Sequence, residues 1–286
     1  MNKIAVVIPT IRMETYVKFL EKWKESFEKN DVTLVTVFDG EKPHVVSGNI
    51  GFGLEEIMGE YSDIIYQKND GVRNLGFAYV AKYLPHIDTI ISFDDDVEPS
   101  GSTIEDHLAV LGTKVSISWL STASEYTRGF PYKARQEAEV VLSHGVWKGV
   151  ADWDAPTQLI HGNKEVTFYK GIVPKGIQFP LCAMNFAFKR ELLPYVYQAP
   201  MGPRIGLDRF ADIWGGIEMK KDIDNIGMAA VTGYAAVQHK RASNVWDNLI
   251  KEAKGLKMNE NYGQDPYFKI FFENRKRWQD FIRSRV

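Results

Sequence analysis

The chain has 286 residues, 44% hydrophobic and 13% aromatic, enough to bury a sizeable core as one large domain or one domain with an appendage. Lys plus Arg number 35 against 37 Asp plus Glu, a near-neutral balance that gives no footing for a nucleic-acid partner or a polybasic membrane anchor. The first apolar run is broken at Pro9 before it reaches signal-peptide length, no stretch approaches a membrane span, and the single Cys182 excludes an internal disulfide, so the expectation is a protein of a reducing compartment, the cytoplasm.

Positions 4–8 read as a buried strand ending at Pro9-Thr10. Apolar residues at Val17, Leu20, Trp23 and Phe27 then give 15–29 the spacing of a helix, and 32–38 is a second strand closing on Asp39-Gly40. Strand, helix and strand joined by short polar links make the βαβ pattern of an open, mostly parallel sheet, where ligands bind beyond the carboxyl ends of the strands. Thr10, Arg12 and Asp39 fall at that crevice, although Asp39-Gly40 also reads as a plain turn. The glycines of 48–53 lack the spacing of a dinucleotide fingerprint or a P-loop and read as a loop, and Ile64-Ile65-Tyr66 reads as a third strand. A helix over 72–84 follows Asn69-Asp70-Gly71, with Arg73 and Asn74 in its first turn. Arginine there opposes the helix dipole unless an anionic ligand sits at the helix start, held by Arg73 and the free N–H groups; a surface arginine is the alternative.

Positions 89–93 are a short β-branched and aromatic run that stops in three adjacent carboxylates, Asp94-Asp95-Asp96. Like charges in a row repel unless a cation or hydrogen-bond donors neutralise them, and a divalent metal carrying a phosphate meets that need. A solvated acidic turn meets it too, and the triplet alone does not choose.

Beyond the triplet, 104–111 reads as a helix and 114–120 as a strand. Arg128 and Arg135 lie in a stretch broken by Gly129 and Pro131, a loop in which side chains can converge on a ligand. The segments 143–147 and 152–157 are polar and aromatic with little periodicity. Asn185 interrupts the apolar run 179–188, so it must be satisfied by backbone or exposed to a ligand, whereas Cys182, with no base beside it in sequence, reads as a packing residue. A helix over 207–226 carries Asp208, Asp212 and Trp214. A strand over 228–237 runs into His239, Lys240 and Arg241. Helices over 245–256 and 266–286 close the chain, the last amphipathic and suited to packing on the body or on a partner. Acidic residues at a central strand end, a late histidine and flanking bases together make a site for a metal bound to a diphosphate; Asp oxygens and a His nitrogen suit Mn²⁺ or Mg²⁺.

Several segments in order resemble the reversibly glycosylated polypeptides, the plant-type UDP-arabinopyranose mutases. They are Ile8-Pro9-Thr10-Ile11-Arg12, Asp94-Asp95-Asp96, Arg128-Gly129-Phe130-Pro131, Ser143-His144-Gly145, Asp152-Trp153-Asp154-Ala155-Pro156-Thr157-Gln158-Leu159, Pro174-Lys175-Gly176, Met184-Asn185-Phe186-Ala187-Phe188, Asp212-Ile213-Trp214 and His239-Lys240-Arg241-Ala242-Ser243-Asn244. The resemblance implies an α/β fold of the GT-A type: a Rossmann-like, mostly parallel sheet flanked by helices over 1–240, with a helical segment over 241–286 packed on it.

It also implies residue roles. Asp94 faces the ribose or metal, Asp96 and His239 complete the metal shell, and Asp39 meets the uracil. Arg128 matches the arginine glycosylated in the plant proteins, Arg135 a second arginine needed for activity, and Asp212 an acid near the transferred sugar. Thr10, Arg12, Arg73, Asp95, Asn185, Lys240 and Arg241 complete the expected nucleotide-sugar site. The implied activity is metal-dependent interconversion of the pyranose and furanose forms of UDP-arabinose, with reversible self-glycosylation on Arg128. The alternatives are a glycosyltransferase acting on an external acceptor with Asp212 as base, or a non-catalytic nucleotide-sugar-binding subunit. Homo-oligomerisation is left open. In departure from the family, Ala211-Asp212 stands where two adjacent acids are usual, and most of the C-terminal extension is missing.

Overall fold

The computed structural model describes residues 3–121, 126–135, 137–162, 164, 166–240 and 244–285. Its first half is β1 (Ile4–Thr10), α1 (Met13–Lys29), β2 (Val32–Phe38), the hairpin β3 (His44–Ser47) and β4 (Ile50–Gly53), α2 (Leu54–Met58), α3 (Arg73–Tyr83), β5 (Thr89–Phe93), β6 (Val97–Pro99) and α4 (Thr103–Val110). There follow β7 (Lys114–Val115), β8 (Ala138–Gly149), α5 (Ala155–His161), β9 (Gly171–Val173), β10 (Asn185–Lys189), α6 (Ala211–Asn225), β11 (Ala229–His239), α7 (Val245–Asn259) and α8 (Tyr267–Arg283).

One sheet runs in the order β4-β3-β2-β1-β5-β10-β8-β11-β6. Its long strands β1, β2, β5, β8 and β11 point the same way, and β10 is inserted in reverse between β5 and β8. Helices cover both faces, as the βαβ pattern requires. On one face Phe19 and Trp23 of α1 and Ile104 of α4 pack with Phe93 and Ile91 of β5. On the other, α3, α6 and α8 share a core that includes Phe77, Trp214, Phe271 and Trp278. The amphipathic final helix therefore packs on the body, and its Trp278 indole N–H donates to the Leu193 carbonyl at 2.9 Å. Gly76 lets α3 lie close on the sheet: a Cβ there would come within 2.5 Å of Val7 and 2.8 Å of Val37. No described helix is long and apolar enough to cross a membrane.

Five local expectations are corrected. The segment 48–53 is not a loop but the turn and second strand of the β3–β4 hairpin, with Gly48 at φ +60° in the turn, a position that suits glycine. Ile64-Ile65-Tyr66 forms no strand; it ends a 3₁₀ turn over Gly59–Ile64. The strand expected over 114–120 is only Lys114–Val115. The aperiodic stretch around Ser143 and His144 is the interior of the twelve-residue β8, and its polar side chains are tolerated because each finds a buried partner. Imidazole Nδ1 of His107 lies 2.8 Å from Ser143 Oγ, and that of His144 lies 2.8 Å from Thr232 Oγ1. The helix expected from 207 starts only at Ala211, because Arg209 adopts φ +70° and interrupts helical geometry.

Candidate active site

The carboxyl ends of β1, β2 and β5 face one crevice, and Thr10, Asp39 and Asp94 stand there, Asp39 donating its N–H to the Thr10 carbonyl at 2.8 Å. Asp39 is half-buried. Its carboxylate accepts the N–H groups of Gly40, Lys68 and Asn69 at 2.8, 3.0 and 3.2 Å, so it fixes the loop leading to α3. Burial raises its pKa above the ordinary range, and those N–H donors oppose the rise.

The three adjacent acids do three different jobs. Asp95 is 4% exposed, accepts the Thr10 hydroxyl at 2.7 Å and pairs with Arg12, so it binds β1 to β5 rather than meeting a ligand; the expectation of a nucleotide contact at Asp95 is corrected by these bonds. Asp94, one-third exposed, takes a 2.6 Å hydrogen bond from Arg73. Arg73 is itself buried and gives its other donors to Ser92 Oγ, the Ala183 carbonyl and the Asp70 carbonyl. Four of its five N–H groups are thereby spent, so Arg73 orients Asp94 instead of standing open to an anion at the helix start. Asp96 has the loosest partnership, one 3.5 Å contact with Arg12. Its pKa is pushed up to about 6, first by burial and then by the charge of Asp94, against the pull of His239 and Arg12.

His239 ends β11 beside Asp96, since β11 pairs with β6 at Val97. Its Nδ1 sits 2.8 Å from the Val150 carbonyl. A carbonyl only accepts, so Nδ1 carries the proton and Nε2 keeps its lone pair, the tautomer a metal ligand needs. The donor chemistry of Asp94, Asp96 and His239 fits a hard divalent cation, and the mutual repulsion of the two carboxylates favours one. Among the described residues no three His, Cys, Asp or Glu side chains are gathered into a ready metal cage. Lys240 is tied to Glu98 at 2.7 Å, and Arg241 lies outside the described residues.

A second group of acids adjoins the first and was not assembled by the sequence reading. The segment 182–183 connects them: the Cys182 thiol donates to Asp152 at 2.9 Å, and the Ala183 N–H donates to Asp212 at 2.9 Å. Asp212, in the first turn of α6, has its pKa raised well above the carboxylate range by burial first and then by Asp70 and Asp152. Asp70 is raised by burial and by Asp94 and Asp208, with Arg73 opposing. Burial and the charges of Asp152 and Asp212 likewise keep Cys182 a thiol, in keeping with a packing and donor role. Asp70 had shown in the sequence only as part of a helix start, and Asp152 only within a motif.

Other expected residues lie elsewhere. Asn185 is buried, with its oxygen 2.8 Å from Nε2 of His107 and its amide donating to the Val146 carbonyl at 3.0 Å; the apolar run was satisfied internally, not by a ligand. Arg128 and Arg135 belong to the segment that precedes β8, and no described contact joins either to the acidic groups.

A family model described as reversibly glycosylated polypeptide matches residues 1–275. Similar proteins include "Probable UDP-arabinopyranose mutase 2" of Solanum tuberosum, 33% identical over 281 residues, covering 89% of this chain and 74% of that protein. "UDP-arabinopyranose mutase 3" of Arabidopsis thaliana is 33% identical, with 89% and 75% covered, and "UDP-arabinopyranose mutase 1" of Oryza sativa subsp. japonica is 31% identical, with 89% and 74% covered. Among solved structures, the catalytic domain of Drosophila beta1,4galactosyltransferase 7 in complex with xylobiose aligns with a TM-score of 0.42 and 10% identity over 86% of this chain and 73% of that chain.

Proposed function

The chain belongs to the reversibly glycosylated polypeptide family, and on that premise we propose that it is an enzyme interconverting the pyranose and furanose forms of UDP-arabinose at the crevice beyond β1, β2 and β5. The observation that carries this reading is the juxtaposition of two acidic groups, one suited to a cation and diphosphate (Asp94, Asp96, His239) and one gathered around residues 182–183 (Asp152, Asp212, with Asp70 beside them), in which burial and mutual charge raise the pKa values of Asp70 and Asp212. Mn²⁺ or Mg²⁺ held by Asp94, Asp96 and His239 would supply charge for the departing diphosphate. Arg73 keeps Asp94 aimed, and Arg12 with the buried Asp95 holds the loop on which Asp96 stands.

Ring contraction moves one proton. While C1 is parted from the diphosphate oxygen, O4 loses its proton and closes on C1, O5 gains a proton as its bond to C1 opens, and the diphosphate oxygen then rebonds to C1 to give the furanose form. The carboxyl group of Asp212, whose burial and acidic neighbours favour its protonated form, suits delivery to O5, and Asp152, pinned by Cys182, suits acceptance from O4. In this reading Arg128 takes up the sugar reversibly, residues 1–240 carry the catalytic unit with the later helices packed on it, and the protein works in the cytoplasm.

Chromatography of nucleotide-sugars after incubation with UDP-arabinopyranose and Mn²⁺ tests the proposal. A second UDP-pentose is the expected product. UDP and free arabinose alone would overturn it in favour of a transferase awaiting an acceptor.

A further inference from the structure

The direction of β8 decides where Arg128 stands. Strands β5 and β8 each pair antiparallel with β10, so they run parallel, and β8 begins at the end of the sheet away from the acidic crevice. Arg135 lies just before that beginning. The segment leaves the sheet at the same end, after β7 pairs with the first residues of β8 and the Ile117 carbonyl accepts the Lys175 N–H at 2.8 Å.

There the chain folds on itself. The Arg135 guanidinium lies between two rings, 4.8 Å from the centroid of Tyr126 and 4.0 Å from that of Tyr132. Phe130 packs against Tyr126 and Trp119 at 4.7 and 5.9 Å. On this base a turn closes from Thr127 to Phe130, the Phe130 N–H donating to the Thr127 carbonyl at 3.1 Å, with Gly129 at φ +93°. Only glycine takes that φ without strain, and it leaves Arg128 exposed at the tip, with no ion-pair partner among the described residues.

The surroundings of the tip have the composition of a docking surface. Tyr132 is 83% exposed, Leu120 60% and Trp119 48%, and tyrosine, tryptophan and arginine dominate the energetics of protein interfaces. Residues 126–135 include Arg128, Lys133 and Arg135 and no acid. Beside them, Glu137 takes the Tyr126 hydroxyl at 3.4 Å; a concentrated acidic surface to match the exposed Arg128 is offered by the crevice with Asp70, Asp94, Asp96, Asp152 and Asp212, which faces the other way.

On the reading above, in which Arg128 receives the sugar, we propose that the Arg128 turn of one copy is glycosylated in the crevice of a second copy of this chain. The step is a displacement without redox change. A guanidine nitrogen bonds to C1, the C1–O bond to the diphosphate breaks with its electron pair leaving on UDP, and the guanidinium proton passes to a carboxylate of the accepting crevice. The reverse step returns the sugar to UDP. Guanidinium holds its proton firmly near neutral pH and needs such a proton acceptor to act at all, and residues 126–135 supply no carboxylate.

The test uses two full-length variants with distinguishable tags, Arg128→Ala and Asp94→Asn, expressed singly and together and incubated with UDP-[¹⁴C]arabinose and Mn²⁺. Expected is no label on either variant alone and label on the Asp94→Asn chain when the two are co-expressed. Asp96→Asn serves as a second recipient, and thermal melting confirms that each variant is folded. Wild type labelled while co-expressed variants stay unlabelled would mean transfer within one chain and would overturn the proposal. No label on wild type would overturn it as well, and nucleotide-sugar interconversion in that same sample tells whether the mutase reading stands without it.

Discussion

Two buried histidines make the fold sensitive to acid in a calculable way. His107 is fully buried in α4, with Nε2 bonded to the Asn185 oxygen and Nδ1 to Ser143. The Asn185 oxygen accepts only, so His107 is protonated at Nε2 and neutral. His144 accepts the Cys182 N–H at Nε2 and bonds Thr232 through Nδ1. Burial lowers their pKa values from 6.5 to about 4 and about 3. A histidine held neutral contributes stability that is fully present above pH 6.5 and is lost as pH falls towards the folded value, because the unfolded chain takes up the proton first. Between pH 7 and pH 5 each histidine therefore costs about 2 kcal/mol, and the pair about 4 kcal/mol, a large share of a typical stability of roughly 5–15 kcal/mol. Urea denaturation at fixed ionic strength, followed by circular dichroism from pH 7 to pH 5, measures it. The raised carboxyls of Asp96, Asp70 and Asp212 work in the opposite sense over this range, so the readout is the difference between variants: in His107→Gln the change from pH 7 to pH 5 should be about 2 kcal/mol less destabilising than in the wild type, whatever the variant's absolute stability. An unchanged pH slope in that variant would refute the assignment of the acid sensitivity to His107.

Asp96→Asn and His239→Ala should each weaken Mn²⁺-dependent UDP binding by at least tenfold in titration calorimetry while leaving the melting temperature within a few degrees; unaltered affinity in both would remove them from the diphosphate site. Gly76→Ala forces a Cβ against Val7 and Val37 and should cost about 1–3 kcal/mol, a loss readable as a fall in the urea midpoint. Arg73→Lys puts three donors on one nitrogen where the guanidinium fork reaches four acceptors, on Asp70, Ser92, Ala183 and Asp94, from three nitrogens, so stability should fall by about 2 kcal/mol or more. A wild-type midpoint for that variant would show that the fork is dispensable.

The elements with clear periodicity were legible: α1, α3, β1, β2 and β5 lie within a few residues of where apolar spacing put them. Legibility failed where side-chain bonding replaced apolar spacing. Ser143 and His144 read as loop residues because a strand interior is expected to be apolar, yet His107 and Thr232 satisfy them there. For the same reason Asn185 looked like a ligand contact. The site was half visible. The triplet and His239 announce themselves by charge and chemistry, whereas Asp152 and Asp212 meet through the Cys182 thiol and the Ala183 N–H, with Asp70 brought near Asp212 by the turn before α3. No local spacing encodes that meeting. Likewise, nothing in the sequence around Arg128 tells which end of β8 it adjoins; that follows only from β10 running in reverse.

Three aspartates in a row are read in sequence as one motif, yet the turn that joins β5 to β6 divides them. Asp94 and Asp96 face the crevice, whereas the buried Asp95 turns back to Thr10 and Arg12. The middle acid is thus spent on holding β1 against β5, the junction at which the two outer acids are displayed. Asp95→Asn keeps an acceptor for the Thr10 hydroxyl but leaves Arg12 without its buried counter-charge, and a hydrogen bond to a charged group contributes about 1.5–3 kcal/mol. The variant should therefore lose about that much stability in urea titration, and Asp94 and Asp96 should lose their alignment with it. Asp95→Asn should weaken both the fold and UDP binding, whereas Asp96→Asn weakens binding alone. Equal stability losses in the two variants would mean that the triplet acts as a single electrostatic cluster, and the division of labour drawn from these hydrogen bonds would fail.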